Sequence, residues 1–115
     1  MINKNLEIIK TIISHTERIL LKIDRVSIDD LMIDEDLQQI LCFNFFRIGE
    51  LSNELSDEFK AKHNDISWDL LCDMRNIVAR GIVNGYDSSI FRTIYNISKN
   101  SIPDLNIKLK NIKKR

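Results

Sequence analysis

The chain is poor in the residues that interrupt or cross-link a fold: one proline, three glycines and two cysteines in 115 residues. So few breakers exclude a turn-rich all-β architecture and leave room for long helices. Cys42 and Cys72 have no C-x-x-C spacing and lie in apolar helical patterns, which argues for reduced thiols rather than a disulfide or a zinc site. Net charge is zero, so no whole-molecule field draws the chain toward nucleic acid. No apolar run is long enough for a signal peptide or a membrane span, because the segment after Met1 to Lys4 is interrupted by charge every few residues. The expectation is a soluble, cytoplasmic protein that needs no cofactor. With 43% hydrophobic and 30% charged residues, it forms one domain, residues 1–115, that buries its own core.

What is present is helical periodicity. Leu6, Ile9, Ile13, Thr16, Leu20 and Ile23 step by three and four and predict a helix over Asn3 to Asp24. His15 lies beside that stripe and lacks a second ligand at i+4, so it reads as a core-edge histidine with no role. Ser27 and Asp30 have capping-box spacing, and the acids of 29–36 belong at helix starts rather than in a calcium loop.

A long second helix is predicted from Asp34 to Lys60, with Leu37, Leu41, Phe45, Ile48, Leu55 and Phe59 as one stripe. Ile40, Phe43 and Phe46 add apolar surface on a second side, more than one bundle core needs, and point to a homodimer. Gly49 in its interior costs about 1 kcal/mol relative to Ala and fits a place where another backbone approaches. His63 falls in the connection Ala61 to Ile66, far from the chemistry that follows.

The segment that concentrates that chemistry is W-D-L-L-C-D-M-R-N-I-V-A-R-G-I-V-N-G-Y-D, from Trp68 to Asp87. Ser67 is placed to cap its helix, and Leu71, Met74 and Val78 form the core-facing row. Asn76 and Arg80 share a face with Asp73, and Arg75 sits beside that row. Arg75 offers a planar fork suited to phosphate; its alternative is an ion pair with Asp73 or Glu50. After the break at Gly81, Asn84 and Gly85, a fourth helix runs from about Ser88 to Lys99 with Ile90, Ile94 and Ile97 inward. Ser101 begins a last one with Leu105, Leu109 and Ile112 as its apolar row. Five helical segments without strand alternation predict an all-α antiparallel bundle of four main helices and a short C-terminal one. The last twelve residues carry Lys108, Lys110, Lys113, Lys114 and Arg115 against Asp104 alone, a net +4 that leaves −4 elsewhere; such a tail reads as a solvated helix end or an RNA contact.

The segment I-S-W-D-L-L-C-D-M-R-N-I-V-A, Ile66 to Ala79, resembles the signature of the HepT-like proteins, minimal members of the HEPN superfamily. Arg47-Ile48-Gly49-Glu50 is similar to that family's Ile-Gly-Glu, and Ile102-Pro103-Asp104-Leu105 to its closing Leu-Pro-Xaa-Leu. The resemblance implies a helical bundle that pairs as a two-fold homodimer. It also implies a metal-independent endoribonuclease acting on RNA, with tRNA a candidate target, that is the toxin partner of an MNT-type nucleotidyltransferase antitoxin. In the family the Arg of an Arg-Asn pair binds phosphate, a His moves the proton and a Tyr receives nucleotides from the partner. Here Arg75 and Asn76 match, Arg80 holds the position of the His, and Ile82 that of the Tyr. An arginine stays protonated at neutral pH and cannot be a general base, so the chain is expected to be weakened or inactive as a nuclease. The alternative is a non-catalytic helical subunit that binds a nucleotidyltransferase. Tyr86, four residues beyond Ile82, is a candidate replacement site for modification.

Overall fold

A computed structural model describes residues 3–113, and over these it contains seven helices: α1 Lys4–Ile23, α2 Ile28–Ile33, α3 Glu35–Asn53, α4 Asp57–Lys62, α5 Trp68–Asn84, α6 Ser88–Asn100 and α7 Ile102–Lys113. Lys114 and Arg115 of the basic tail, and Met1 and Ile2, lie outside the described residues. The expected bundle is therefore present, with two short helices added. None of its helices is long and apolar enough to cross a membrane.

Helix α1 starts at Asn3, whose side chain accepts from the Leu6 amide. Its buried row is Ile9, Ile12, Thr16, Ile19 and Ile23 with Ile8 and Ile13 beside it, while Leu20 is only half-buried. The chain then reverses through Arg25, which takes a left-handed φ of 60°, a conformation costing a side-chain-bearing residue about 1 kcal/mol. Ser27 and Asp30 form the capping box that starts α2: the Asp30 amide donates to Ser27 Oγ and the Ser27 amide to Asp30 Oδ2. Asp34 separates α2 from α3 and caps the latter by accepting from the Leu37 amide at 3.0 Å. Two acids of the 29–36 cluster are thus committed to capping, as their positions at helix starts imply.

The second long helix ends earlier than its periodicity predicts. It stops at Asn53, and a new helix begins at Asp57. Ser56 adopts an extended ψ of 150° and caps α4 by accepting from the Phe59 amide. Asn5 of α1 holds it there, donating from Nδ2 to Ser56 Oγ and accepting the Ser56 amide, both at 3.3 Å. Leu55 and Phe59 still reach the core across the break, at 4% and 9% exposure, which is why the apolar stripe continues while the helix does not.

Helix α5 begins without a side-chain cap from Ser67; the Ser67 carbonyl accepts from the Leu70 amide instead. Trp68 closes the preceding helix, its indole N–H donating to the carbonyls of Lys60 and His63, both at 3.1 Å. Asp87 caps α6 through the Ile90 amide. Ser101 joins the last two helices: its amide donates to Ile97 O and its carbonyl accepts from Leu105. Helix α3 packs most extensively against α5, and α1 lies between α3 and α7. Leu41, Phe45, Ile48, Leu71, Met74, Ile94 and Leu109 are fully buried between them. A polar contact sits within this core, where Asn106 Nδ2 donates to Thr16 Oγ1 at 3.0 Å and the threonine hydroxyl donates on to Ile13 O.

Candidate functional site

The geometry around α5 is set by Gly49. A Cβ there would lie 2.2 Å from Arg75 Cβ and 2.8 Å from Leu71 O, so α3 and α5 touch backbone to backbone at Arg75. This is the close approach that a glycine in a helix interior suggests. Pressed against α3, Arg75 donates from Nε to Glu50 Oε1 at 2.5 Å, with its guanidinium carbon 5.4 Å from the centre of the Phe46 ring. Glu50, not Asp73, is therefore its carboxylate partner. Both side chains are more than a third exposed (39% and 38%), so solvent screening leaves the pair worth only about 1 kcal/mol. Its consequence is positional. Nε is spent on Glu50 and Nη1 makes a long contact of 3.4 Å to Asn76 Oδ1, which leaves the outer edge of the fork available.

Asn76 and Arg80 sit one turn apart on the exposed face of α5. With Asp73, Leu70, Ile77 and, from α6, Thr93 and Ile97, they line a shallow groove of about 470 Å³. Arg80 forms no ion pair among the described residues. Asn76 bridges the two halves, reaching Arg75 through Oδ1 and Cys72 Sγ through Nδ2 at 3.8 Å. The α5 residues singled out by sequence thus fall on two adjoining faces, Arg75 toward α3 and Asn76 with Arg80 toward α6. Both cysteines are free and half-buried.

Tyr86 folds back over the end of α5. Its ring covers Gly81, where a Cβ would come within 2.2 Å of it; the ring also stacks on Phe91 at 5.6 Å, and its hydroxyl donates to Val78 O at 2.9 Å. Burial, reinforced by the neighbouring Cys42 thiol, pushes the Tyr86 hydroxyl up to about 12, and burial likewise pushes the Cys42 thiol up. Next to Tyr86 an apolar groove of about 660 Å³ opens between α3 and α5, lined by Cys42, Phe43, Phe46, Val78 and Ile82. Ile82 and Val83 are strongly exposed, at 69% and 80%.

Neither histidine lies in this cluster. His63 terminates α4, its ring packed 4.6 Å from Phe59. His15 stands on α1 against α3, with Nδ1 2.7 Å from Asn44 Oδ1. The sequence offered one signal of that second pair, the polar Asn44 inside a buried stripe.

Compared with known proteins, the sequence model of the family described as "Ribonuclease HepT-like" matches residues 2–112. Neither a curated protein nor a solved structure matches the chain.

Proposed function

Because the chain belongs to the HepT-like ribonuclease family, we propose that it is the toxin component of a toxin–antitoxin pair and engages an RNA phosphate through Arg75, Asn76 and Arg80. The observation that carries this reading is the anchoring of Arg75. Its Nε donates to Glu50 and its guanidinium carbon lies 5.4 Å from the Phe46 ring centre, so the outer edge of the fork is directed away from Glu50 and is open to a phosphate, the group a planar guanidinium matches. Arg80 adds a second cation on the neighbouring face.

Cleavage at this cluster is weakened. Arg80 occupies the position of the family's histidine, and a guanidinium cannot take a proton from a ribose hydroxyl. Loss of a general acid or base costs about 10² to 10⁴ in rate. The protein in this reading pairs as a homodimer, and its partner is an MNT-type nucleotidyltransferase. The exposed Ile82 and Val83 beside the apolar groove of α3 and α5 support the dimer, since a second copy would remove them from water. Ile82 has no hydroxyl to receive a nucleotide. Tyr86 would be the substitute acceptor, and its hydroxyl would first have to leave Val78 O.

The second reading, a non-catalytic helical subunit that binds the nucleotidyltransferase, is favoured by the placement of both histidines outside the Arg75, Asn76 and Arg80 cluster: His63 ends α4 and His15 stands on α1. Labelled tRNA incubated without metal separates the two. The wild-type chain should leave it largely intact, whereas an Arg80→His, Ile82→Tyr version should cut at least a hundredfold faster. If neither version cuts, the nuclease reading of this cluster fails and the binding subunit stands.

A further inference from the structure

His15 is oriented in a way that nothing at α5 accounts for. Asn44 is 1% exposed, and its Nδ2 donates to Ile40 O at 2.7 Å. A carbonyl can only accept, so the amide is fixed with Oδ1 toward His15. Oδ1 also only accepts, which places the proton of the neutral imidazole on Nδ1 and leaves Nε2 as a hydrogen-bond acceptor. The edge of the Phe43 ring, 6.1 Å away at 61°, walls the imidazole on another side. Both groups of a buried amide are thus spent on holding one half-buried ring in one tautomer.

That ring lines a groove of about 610 Å³ between α1 and the start of α3, together with Arg18, Asp36, Gln39 and Phe43. Arg18 is one turn from His15 on α1 and forms no ion pair among the described residues. The groove shares Gln39 and Phe43 with the apolar groove beside Ile82, so it lies at the rim of that face. A fixed acceptor one turn from a guanidinium without an ion-pair partner suits a ligand whose hydroxyl donor adjoins an anion, with the Asp36 carboxylate of the same lining offsetting part of the positive charge. A ribose 2′-hydroxyl with its neighbouring phosphate is such a ligand, and deoxyribose is not.

We infer that the His15–Arg18 groove is a ribonucleotide subsite, in which His15 Nε2 accepts from a 2′-hydroxyl and Arg18 neutralises the adjacent phosphate, so that the protein distinguishes RNA from DNA. The inference rests on the RNA-binding reading above. It adds a second contact, on a different pair of helices from Arg75.

Fluorescence anisotropy with one labelled single strand, prepared as RNA, as DNA and with 2′-O-methyl groups, tests it. The wild-type protein should bind the RNA about two- to tenfold more tightly than the other two, the fold-change of one net hydrogen bond. His15→Phe should bring the ratio to about one. Arg18→Gln should weaken all three strands alike and lower the salt slope by about one contact. Should His15→Phe fail to fold, the imidazole ¹⁵N resonances of the wild-type protein decide: Nδ1 protonated in the free protein, and Nε2 shifting on addition of RNA but not of DNA. RNA binding with an unchanged ratio in His15→Phe, or with an unmoved Nε2 resonance, overturns the subsite and leaves the RNA-binding reading standing. Absence of RNA binding to the wild-type chain overturns both.

Discussion

Replacing Gly49 with alanine sets two magnitudes of opposite sign against each other. Alanine in a helix interior is favoured over glycine by about 1 kcal/mol, so local propensity alone predicts a more stable protein. The added Cβ, however, would meet Arg75 Cβ at 2.2 Å, Leu71 O at 2.8 Å and the Arg75 amide nitrogen at 3.1 Å. These atoms are fixed to the backbone of α5, and no side-chain rotation relieves them. The helices would have to part by about 1 Å, and a gap of that size forfeits roughly a quarter to a half of each dispersion contact along the seam. Overpacking costs about 1–3 kcal/mol, sometimes more, and a backbone-to-backbone clash belongs at the upper end. Offset by propensity, the net loss is about 2 kcal/mol, a fall in Tm of roughly 8 °C for a domain of this size. Gly81→Ala is the control. The three atoms nearest its Cβ all belong to the Tyr86 ring, a side chain that can swing out by giving up its bond to Val78 O; that loss of about 1 kcal/mol is offset by a helix-propensity gain of similar size, so stability should stay within about 1 kcal/mol of wild type. Thermal melts followed by circular dichroism read both variants. A Tm for Gly49→Ala at or above wild type would refute the close α3–α5 contact and, with it, the anchoring of Arg75.

Three further outcomes follow from the packing and the charges. Leu41→Ala, at a fully buried position between helices, should cost about 2–5 kcal/mol in urea unfolding. Tyr86 should ionise near pH 12, read as the difference in tyrosinate absorbance between wild type and Tyr86→Phe. Its raised value means that the folded state holds the proton longer than the unfolded chain, so this contribution to stability is complete below about pH 10 and is lost as pH rises through about 12. Ile82→Glu should leave helix content unchanged but shift the proposed homodimer to a monomer by light scattering, because a charge at the 69%-exposed position 82 would stand at the apolar face of the proposed contact.

Most of the fold is local in origin and so is readable along the chain. The Ser27–Asp30 box and the rows Leu71–Met74–Val78 and Leu105–Leu109–Ile112 all act within a few residues and appear where their spacing puts them. The break between α3 and α4 has another cause. Leu55 and Phe59 keep the phase of the preceding stripe, so periodicity runs through it, and the residue that stabilises the break is Asn5, 51 positions away. The site divides in the same manner. Helical spacing puts Asn76 and Arg80 on one face, and the structure keeps them there. The choice of Glu50 over Asp73 as the partner of Arg75 depends on how closely α3 and α5 pack. Asn44 and His15 are 29 residues apart, and no local rule relates them.

Binding of labelled RNA by the wild-type chain and by Arg75→Ala across a salt series tests the central claim most directly. The anchored guanidinium predicts a salt-dependent affinity that falls about tenfold in Arg75→Ala, with the slope of log K against log salt reduced by about one. Equal affinities and equal slopes for the two proteins would contradict it.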